Sequence, residues 1–279
     1  MTSFPFSVVM SVYKNDKAEF VALAIDSVIE QQTVKPSEVI LVVDGPIGEA
    51  LKILLSQYEH KYSGVLRILW QERNMGLGNV LRIGVDAAQY ELIARMDSDD
   101  ISVPDRFEKQ LAYFRQDESL AIVGGQIVEF IDSPSNIIGC RKVPLAHEQI
   151  IAYMKSRCPL NHVTVMFRKQ AVLASGSYQE WHYNEDYYLW IRMALNKCGF
   201  ANVPEVLCYA RVGKEMYARR GGWKYFKSEA KLQQYMYNKD LISAGKLCYN
   251  IMLRLIIQVL MPNAMRGFLF RKFLRERGN

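Results

Sequence analysis

The chain has 279 residues, 50% of them hydrophobic and 23% charged, with a net charge of +6; this is enough apolar material for the core of one large or two small domains and excludes a disordered or fibrous chain. No apolar run reaches the ~18 residues needed to span a bilayer, and Met1-Thr2-Ser3-Phe4-Pro5-Phe6 leads straight into a strand pattern, so neither a secretory leader nor a spanning helix is predicted. The five cysteines are widely spaced and lack metal-ligand spacing, which points to a reducing compartment, argues against structural zinc and predicts core positions for them.

Phe6-Ser7-Val8-Val9-Met10-Ser11-Val12-Tyr13 reads as a buried strand. Asp16 followed by Glu19 predicts a capping box for a helix along which Phe20, Leu23, Ala24 and Val28 recur. The apolar run Val39-Ile40-Leu41-Val42-Val43 ends at Asp44-Gly45, and a helical stretch from Glu49 to Tyr58 leads to a third run, Val65 to Trp70. Asn74-Met75-Gly76-Leu77-Gly78-Asn79 then opens a helix carrying Val80, Leu81 and Val85, with small residues where backbone can approach a ligand. Its glycine spacing matches neither the dinucleotide fingerprint nor the P-loop. Leu92-Ile93-Ala94-Arg95-Met96 is a fourth run, and it stops at Asp97-Ser98-Asp99-Asp100.

Strands alternating with helices predict an α/β fold with right-handed crossovers and a Rossmann-like, mostly parallel sheet, whose ligands gather beyond the carboxyl ends of the strands. Tyr13, Asp44 and Asp97 each stand at or just past such an end, so they are expected at one edge of the sheet. Beyond Pro104-Asp105-Arg106 and its helix come a strand from Leu120 to Val128, a turn at Asp132 to Asn136 and a short strand from Val163 to Phe167. Asn184-Glu185-Asp186 marks a helix start ahead of Tyr187, Leu189, Trp190, Ile191 and Met193. After Arg211 the chain turns basic and aromatic, then helical. The expected division is a nucleotide-binding half (1–110), an acceptor-binding half of the same domain (111–215) and a basic helical segment (216–279).

Three carboxylates within four residues at a strand end read in two ways. They form a metal-diphosphate site, in which Mg²⁺ or Mn²⁺ offsets their repulsion and bridges to phosphate oxygens, or a solvated acidic turn that caps the next helix. Glu185 and Asp186 likewise are either dipole-complementing residues at a helix start or an acid pair that works on an acceptor hydroxyl. Trp181, His182 and Tyr183 beside them form a cluster suited to sugar faces. His162 is either a hydrogen-bonded core histidine or part of a metal or acceptor site.

Taken in order, Ser7 to Tyr13, Val42-Val43-Asp44-Gly45, Asn74-Met75-Gly76-Leu77, Ala94 to Asp100 with Pro104-Asp105-Arg106, Asn161 to Arg168 and Glu185 to Arg192 resemble the family 2 glycosyltransferases. The likeness is to bacterial enzymes that build O-antigen, capsule and exopolysaccharide units, the amylovoran type among them. The resemblance implies a GT-A fold, a UDP-sugar donor, an inverting transfer and a divalent metal, Mn²⁺ or Mg²⁺. Asp44 would hold the uracil imide and Tyr13 border the base, with Ser11, Asn74 and Gly76 also on the donor side. Asp97 and Asp99 would occupy the D-x-D positions, Asp99 as the metal ligand. Asp186 would be the general base, Glu185 would orient the acceptor, and His162, Trp181 and His182 would line the acceptor site. Gly78 and Arg82 depart from the pattern common among relatives in the Asn74 motif. The rival classes are a sugar-phosphate nucleotidyltransferase, which needs a Gly-rich basic loop that Tyr13-Lys14-Asn15-Asp16 lacks, and a non-catalytic carbohydrate-binding protein, which has no need of two intact acid sites.

The segment Arg266 to Arg277 interleaves Arg266, Arg271, Lys272, Arg275 and Arg277 with Phe268, Phe270, Phe273 and Leu274. It reads as an amphipathic helix at an anionic membrane surface or as a basic helix packed on the body. The expected partners are the UDP-sugar, a lipid-diphosphate-linked saccharide acceptor and the inner face of the bacterial cell membrane, where the protein would be cytoplasmic and peripheral; nucleic acid is not expected.

Overall fold

The computed structural model describes residues 4–213 and 221–262. Four parallel strands build the first part of the sheet: β1 (Phe6–Val12), β2 (Glu38–Val43), β3 (Leu66–Trp70) and β4 (Leu92–Met96). Helices α1 (Ala18–Ile29), α2 (Glu49–Lys61) and α3 (Leu77–Ala87) make the crossovers, and the strand order β3-β2-β1-β4 reverses direction between β1 and β4. That reversal opens the crevice in which α/β sheets bind ligands. β1, β2 and β4 are almost continuously apolar because helices cover both of their faces.

Beyond β4 the sheet is mixed rather than mostly parallel. The later strands are β5 (Ile101–Ser102), β6 (Leu120–Phe130), β7 (Ile137–Arg141), β8 (Met166–Arg168) and β9 (Gly199–Arg211). The short β8 inserts antiparallel between β4 and β6, while the long β6 and β9 run parallel, so one nine-stranded sheet joins the two expected halves. The stretch from Val163 to Phe167 is therefore not one strand: His162–Thr164 is a 3₁₀ turn and only its end enters β8. Helices α4 (Arg106–Gln116), α5 (His147–Met154), α6 (Lys169–Ala174), α7 (Glu185–Leu195), α8 (Trp223–Asn238) and α9 (Ala244–Arg254) follow, the last continuing into a π-turn at Leu255–Leu260.

Two cores form, one on each face of the sheet. Val21, Ala24, Ile25 and Val28 of α1 join Leu51 and Leu55 of α2 and Phe107, Leu111 and Phe114 of α4 on one side. Val80, Leu81 and Val85 of α3 meet Leu189, Trp190 and Ile191 of α7 and Leu232 and Met236 of α8 on the other. Leu23, expected in the core, is exposed; the buried stripe passes through Val21 and Ile25 instead. Of the cysteines only Cys208 is fully buried, and Cys248 is exposed, so the expectation of five core cysteines fails. The basic segment from Arg266 to Arg277 lies outside the described residues.

Candidate active site

Parallel register sets the carboxyl ends of β1, β2 and β4 level, because Val12 pairs with Val43 and Met10 with both Leu41 and Met96. Tyr13, Asp44 and Asp97 consequently meet at one edge, with Tyr13 exposed and Ser11 half-buried one residue inside β1. Asp44 is buried and its carboxylate is largely occupied: it accepts from Asn74 Nδ2 (2.8 Å), Met75 N–H (2.6 Å) and Gly76 N–H (3.2 Å). It thereby ties the β3–α3 loop to the sheet edge, and at most one of its roughly four acceptor positions is left for a ligand. Gly45 permits that tie. Its φ is +82°, and a Cβ there would lie 2.5 Å from the Asn74 nitrogen. Gly76 (φ +84°) opens α3. Gly78, expected to leave room for a ligand, instead leaves room for protein, since a Cβ there would stand 2.9 Å from the Gln179 carbonyl oxygen.

The acidic turn is built, not merely solvated: Ser98 and Asp100 are buried. Arg95, itself buried, grips Asp97 through both terminal nitrogens. Asp16 does not cap α1, which begins behind Lys17 with no side-chain cap. It accepts instead from Ser98 Oγ (2.9 Å) and Tyr13 N–H (3.0 Å), binding the β1 loop to the turn. Asp100 accepts from the Arg211 N–H (2.6 Å) while Arg211 Nε donates to the Asp99 carbonyl (3.0 Å) and its guanidinium stacks on Phe20 at 3.7 Å. Every acid of the turn is thus engaged except Asp99, whose exposed carboxylate has no side-chain partner among the described residues. Crowding by protein, then the charges of Asp97 and Asp16, push it up to about 6.

Glu185 and Asp186 start α7 with half-buried carboxyls. Desolvation, then Asp186, push Glu185 up to about 7. Asp186 is raised mainly by desolvation, and it accepts from its helix backbone and from the Cys158 thiol at 3.7 Å. The field of Arg95 reaches both carboxyls and Asp97 acts on Glu185, so the acid pair and the D-x-D turn lie within electrostatic reach of each other. His162 bonds the Tyr178 hydroxyl through Nε2 (2.9 Å) and packs on Trp190. Burial and Arg95 keep it neutral. Among the described residues it belongs to no group of three or more potential metal ligands.

Trp181 is committed to packing. Its ring lies 4.3 Å from that of Tyr188 and its Nε1 donates to the Ser228 carbonyl on α8 (3.2 Å). His182 lies against Tyr183 with ring centroids 4.1 Å apart, and Tyr183, held at φ +60°, is half exposed. Sequence reasoning missed Asp16, Arg95, Arg211, Tyr178 and Cys158. Arg95 alone left a usable signal, a cation inside an otherwise apolar strand, which demands a buried counter-charge.

With this geometry in hand, the comparisons converge. The model of glycosyl transferase family 2 matches residues 7–174. The amylovoran biosynthesis glycosyltransferase AmsE of Erwinia amylovora is 37% identical over 81% of this chain and 84% of its own length. The UDP-Gal:alpha-D-GlcNAc-diphosphoundecaprenol beta-1,3-galactosyltransferase of Escherichia coli is 34% identical over 97% of both chains. Among solved structures, S. aureus TarS 1-349 in complex with UDP-GlcNAc superposes with a TM-score of 0.64 at 17% identity, covering 90% of this chain and 72% of that one. The fold is that of the GT-A glycosyltransferases.

Proposed function

The chain belongs to glycosyl transferase family 2, and on that premise we propose that it transfers a hexose or N-acetylhexosamine, with inversion, from a UDP-sugar to a sugar carried on a lipid diphosphate in bacterial surface-polysaccharide assembly. The observation that carries this reading is the pairing of two acid sites across Arg95: a turn with one uncommitted carboxylate, and a carboxyl pair with raised proton affinity at the start of α7. One displacement at an anomeric carbon needs a site for the leaving diphosphate and a base on the opposite side, and needs no covalent nucleophile.

The donor set fits a hard divalent cation. Asp99 offers carboxylate oxygen in surroundings short of positive charge, and among the described residues no three His, Cys, Asp or Glu side chains form a closed cage, an arrangement suited to an ion that takes its remaining ligands from diphosphate and water. When bound, Mn²⁺ or Mg²⁺ supplies neutralisation of the charge that grows on the departing UDP. The chain's own residues do the rest. Arg95 fixes Asp97 at the donor ribose, Arg211 fixes the backbone of Asp99, and Asp44 holds the loop that, with Tyr13, borders the base. Because Glu185 and Asp186 repel, they ionise in two steps. With one proton between them, Asp186 accepts the acceptor hydroxyl proton while Glu185 holds that hydroxyl in line.

The lipid-linked acceptor draws support from the diphosphoundecaprenol acceptor for which the E. coli relative is named, and it requires work at a membrane surface. Supporting a peripheral position at the inner face, Tyr249, Met252, Ile256 and Leu260 stand exposed along α9 and its π-turn, just before the basic segment. No helix among the described residues is long and apolar enough to cross a bilayer. A transfer assay with UDP-, GDP- and dTDP-sugars, Mn²⁺ or Mg²⁺ and a sugar-diphosphate-lipid acceptor tests the reading, with the anomeric configuration of the product read by NMR. Use of GDP-sugars alone refutes the donor class, and retention refutes the mechanism.

A further inference from the structure

α8 is bolted to the loop that leads into the acid pair. Ser228 Oγ donates to the His182 carbonyl (2.6 Å), Asn184 Nδ2 donates to Ser228 Oγ (3.2 Å), and Trp181 Nε1 donates to the Ser228 carbonyl. Lys224, Lys227 and Lys231 follow an i, i+3, i+7 spacing, so at about 100° per residue they lie within about 60° of arc, on the flank of the helix next to Ser228. All three are exposed. The Lys231 ammonium sits over the Trp181 ring at 4.6 Å, which fixes that flank beside the loop. Lys224 and Lys227 have no ion pair among the described residues, and the one acid nearby on the helix, Glu229, is buried against Arg254. The first turn of α8 also carries no acid, so its backbone N–H groups add to the positive field.

The position of this charge is informative. It adjoins His182 and Tyr183, three and two residues ahead of Glu185, with Lys224 acting on His182 and Tyr225 6.2 Å from Tyr183 as an aromatic shoulder. The donor diphosphate belongs at the D-x-D turn and does not need these lysines. Cations without an ion pair on the helix bonded to the loop that leads into the acid pair match an acceptor that carries negative charge of its own.

We propose that Lys224 and Lys227 of α8 bind the diphosphate of the acceptor, so that the enzyme recognises the anionic linker as well as the sugar it carries. The inference rests on the acceptor class given above. Its test uses the full chain and two acceptors with one sugar in common, one on a lipid diphosphate and one as a neutral alkyl glycoside, and reads the ratio of kcat/KM between them.

In wild type the diphosphate acceptor is preferred by on the order of 10²-fold, as expected for two charge-assisted contacts of partly exposed lysines. K224Q/K227Q lowers that preference at least about tenfold through the acceptor KM, with the KM for UDP-sugar unmoved. K224E/K227E lowers it further, and K224R/K227R restores it, which a merely structural role for α8 would not do. An unchanged preference in K224Q/K227Q, or no preference in wild type, overturns the inference while leaving the glycosyltransferase reading intact. Transfer to neither acceptor overturns the acceptor class and the inference with it.

Discussion

Replacing Glu185 with glutamine should separate stability from activity. In the folded chain its carboxyl rises from an ordinary value near 4.5 to about 7, first because protein displaces water around it and then because Asp186 repels its charge. The folded state therefore binds this proton more tightly than the unfolded chain does. Its contribution to stability is present below about pH 4.5 and is lost as pH rises toward 7, so at pH 8 the charged carboxylate opposes folding. At about 1.4 kcal/mol per pH unit the ceiling is about 3 kcal/mol, and sharing of the effect with Asp186 brings the expected figure to about 2 kcal/mol. Glu185→Gln keeps the shape and deletes the charge. It should raise the Tm at pH 8 by roughly 4–8 °C, with the gain shrinking to a small fraction of that at pH 5, where the wild-type carboxyl is already protonated. Differential scanning fluorimetry of ligand-free protein at the two pH values reads both numbers, and transfer assays should find turnover reduced. An equal Tm gain at both pH values, or a loss at pH 8, would refute the argument that this acid is held against its solvation preference.

Asp99→Asn should nearly abolish transfer and remove the metal dependence of UDP binding, because neutralising a hard-cation ligand discards charge as well as geometry; calorimetric UDP titrations with and without Mn²⁺ check it. Asp186→Asn should leave UDP affinity near wild type and cut turnover by roughly 10² or more, and full activity in that variant would move the base elsewhere. The alkaline limb of the kcat/KM profile should fall near pH 7, where the pair loses its one remaining proton, with the apparent value belonging to the Glu185–Asp186 pair. Deletion after Met261 should reduce sedimentation with anionic vesicles, and binding by the full chain should weaken steeply with salt; no lipid preference and a lower Tm on truncation would indicate a packed helix instead.

The first half of the fold was legible because it is built from local signals. β1, β2 and β4 are nearly uniform apolar runs that end abruptly on polar residues, so Tyr13, Asp44 and Asp97 were placed at one edge without any knowledge of tertiary contacts. The second half rests on pairings between distant segments. A three-residue β8 wedged antiparallel between β4 and β6 has no periodicity long enough to declare itself, and only the neighbours it joins make it a strand. Asp16 shows the opposite failure, a strong local pattern overridden by a tertiary demand: the Ser98 hydroxyl and the Tyr13 N–H claim the carboxylate that a capping box would have used.

Arg95 ties these observations together. A guanidinium buried in the middle of a sheet is costly unless its charge is met, and Asp97 meets it through both terminal nitrogens. Asp16 and the buried Asp100 are pushed upward even in their bonded positions, and so are Asp99, Glu185 and Asp186, three acids with no ion pair among the described residues. Each of them faces a step in which positive charge arrives: a cation with the donor at Asp99, a hydroxyl proton at the α7 pair. Asp97 is met by the Arg95 guanidinium and Asp100 by the Arg211 backbone N–H, contacts that hold the turn in shape, while the carboxyls assigned to the chemistry are left wanting a cation or a proton that the substrates bring.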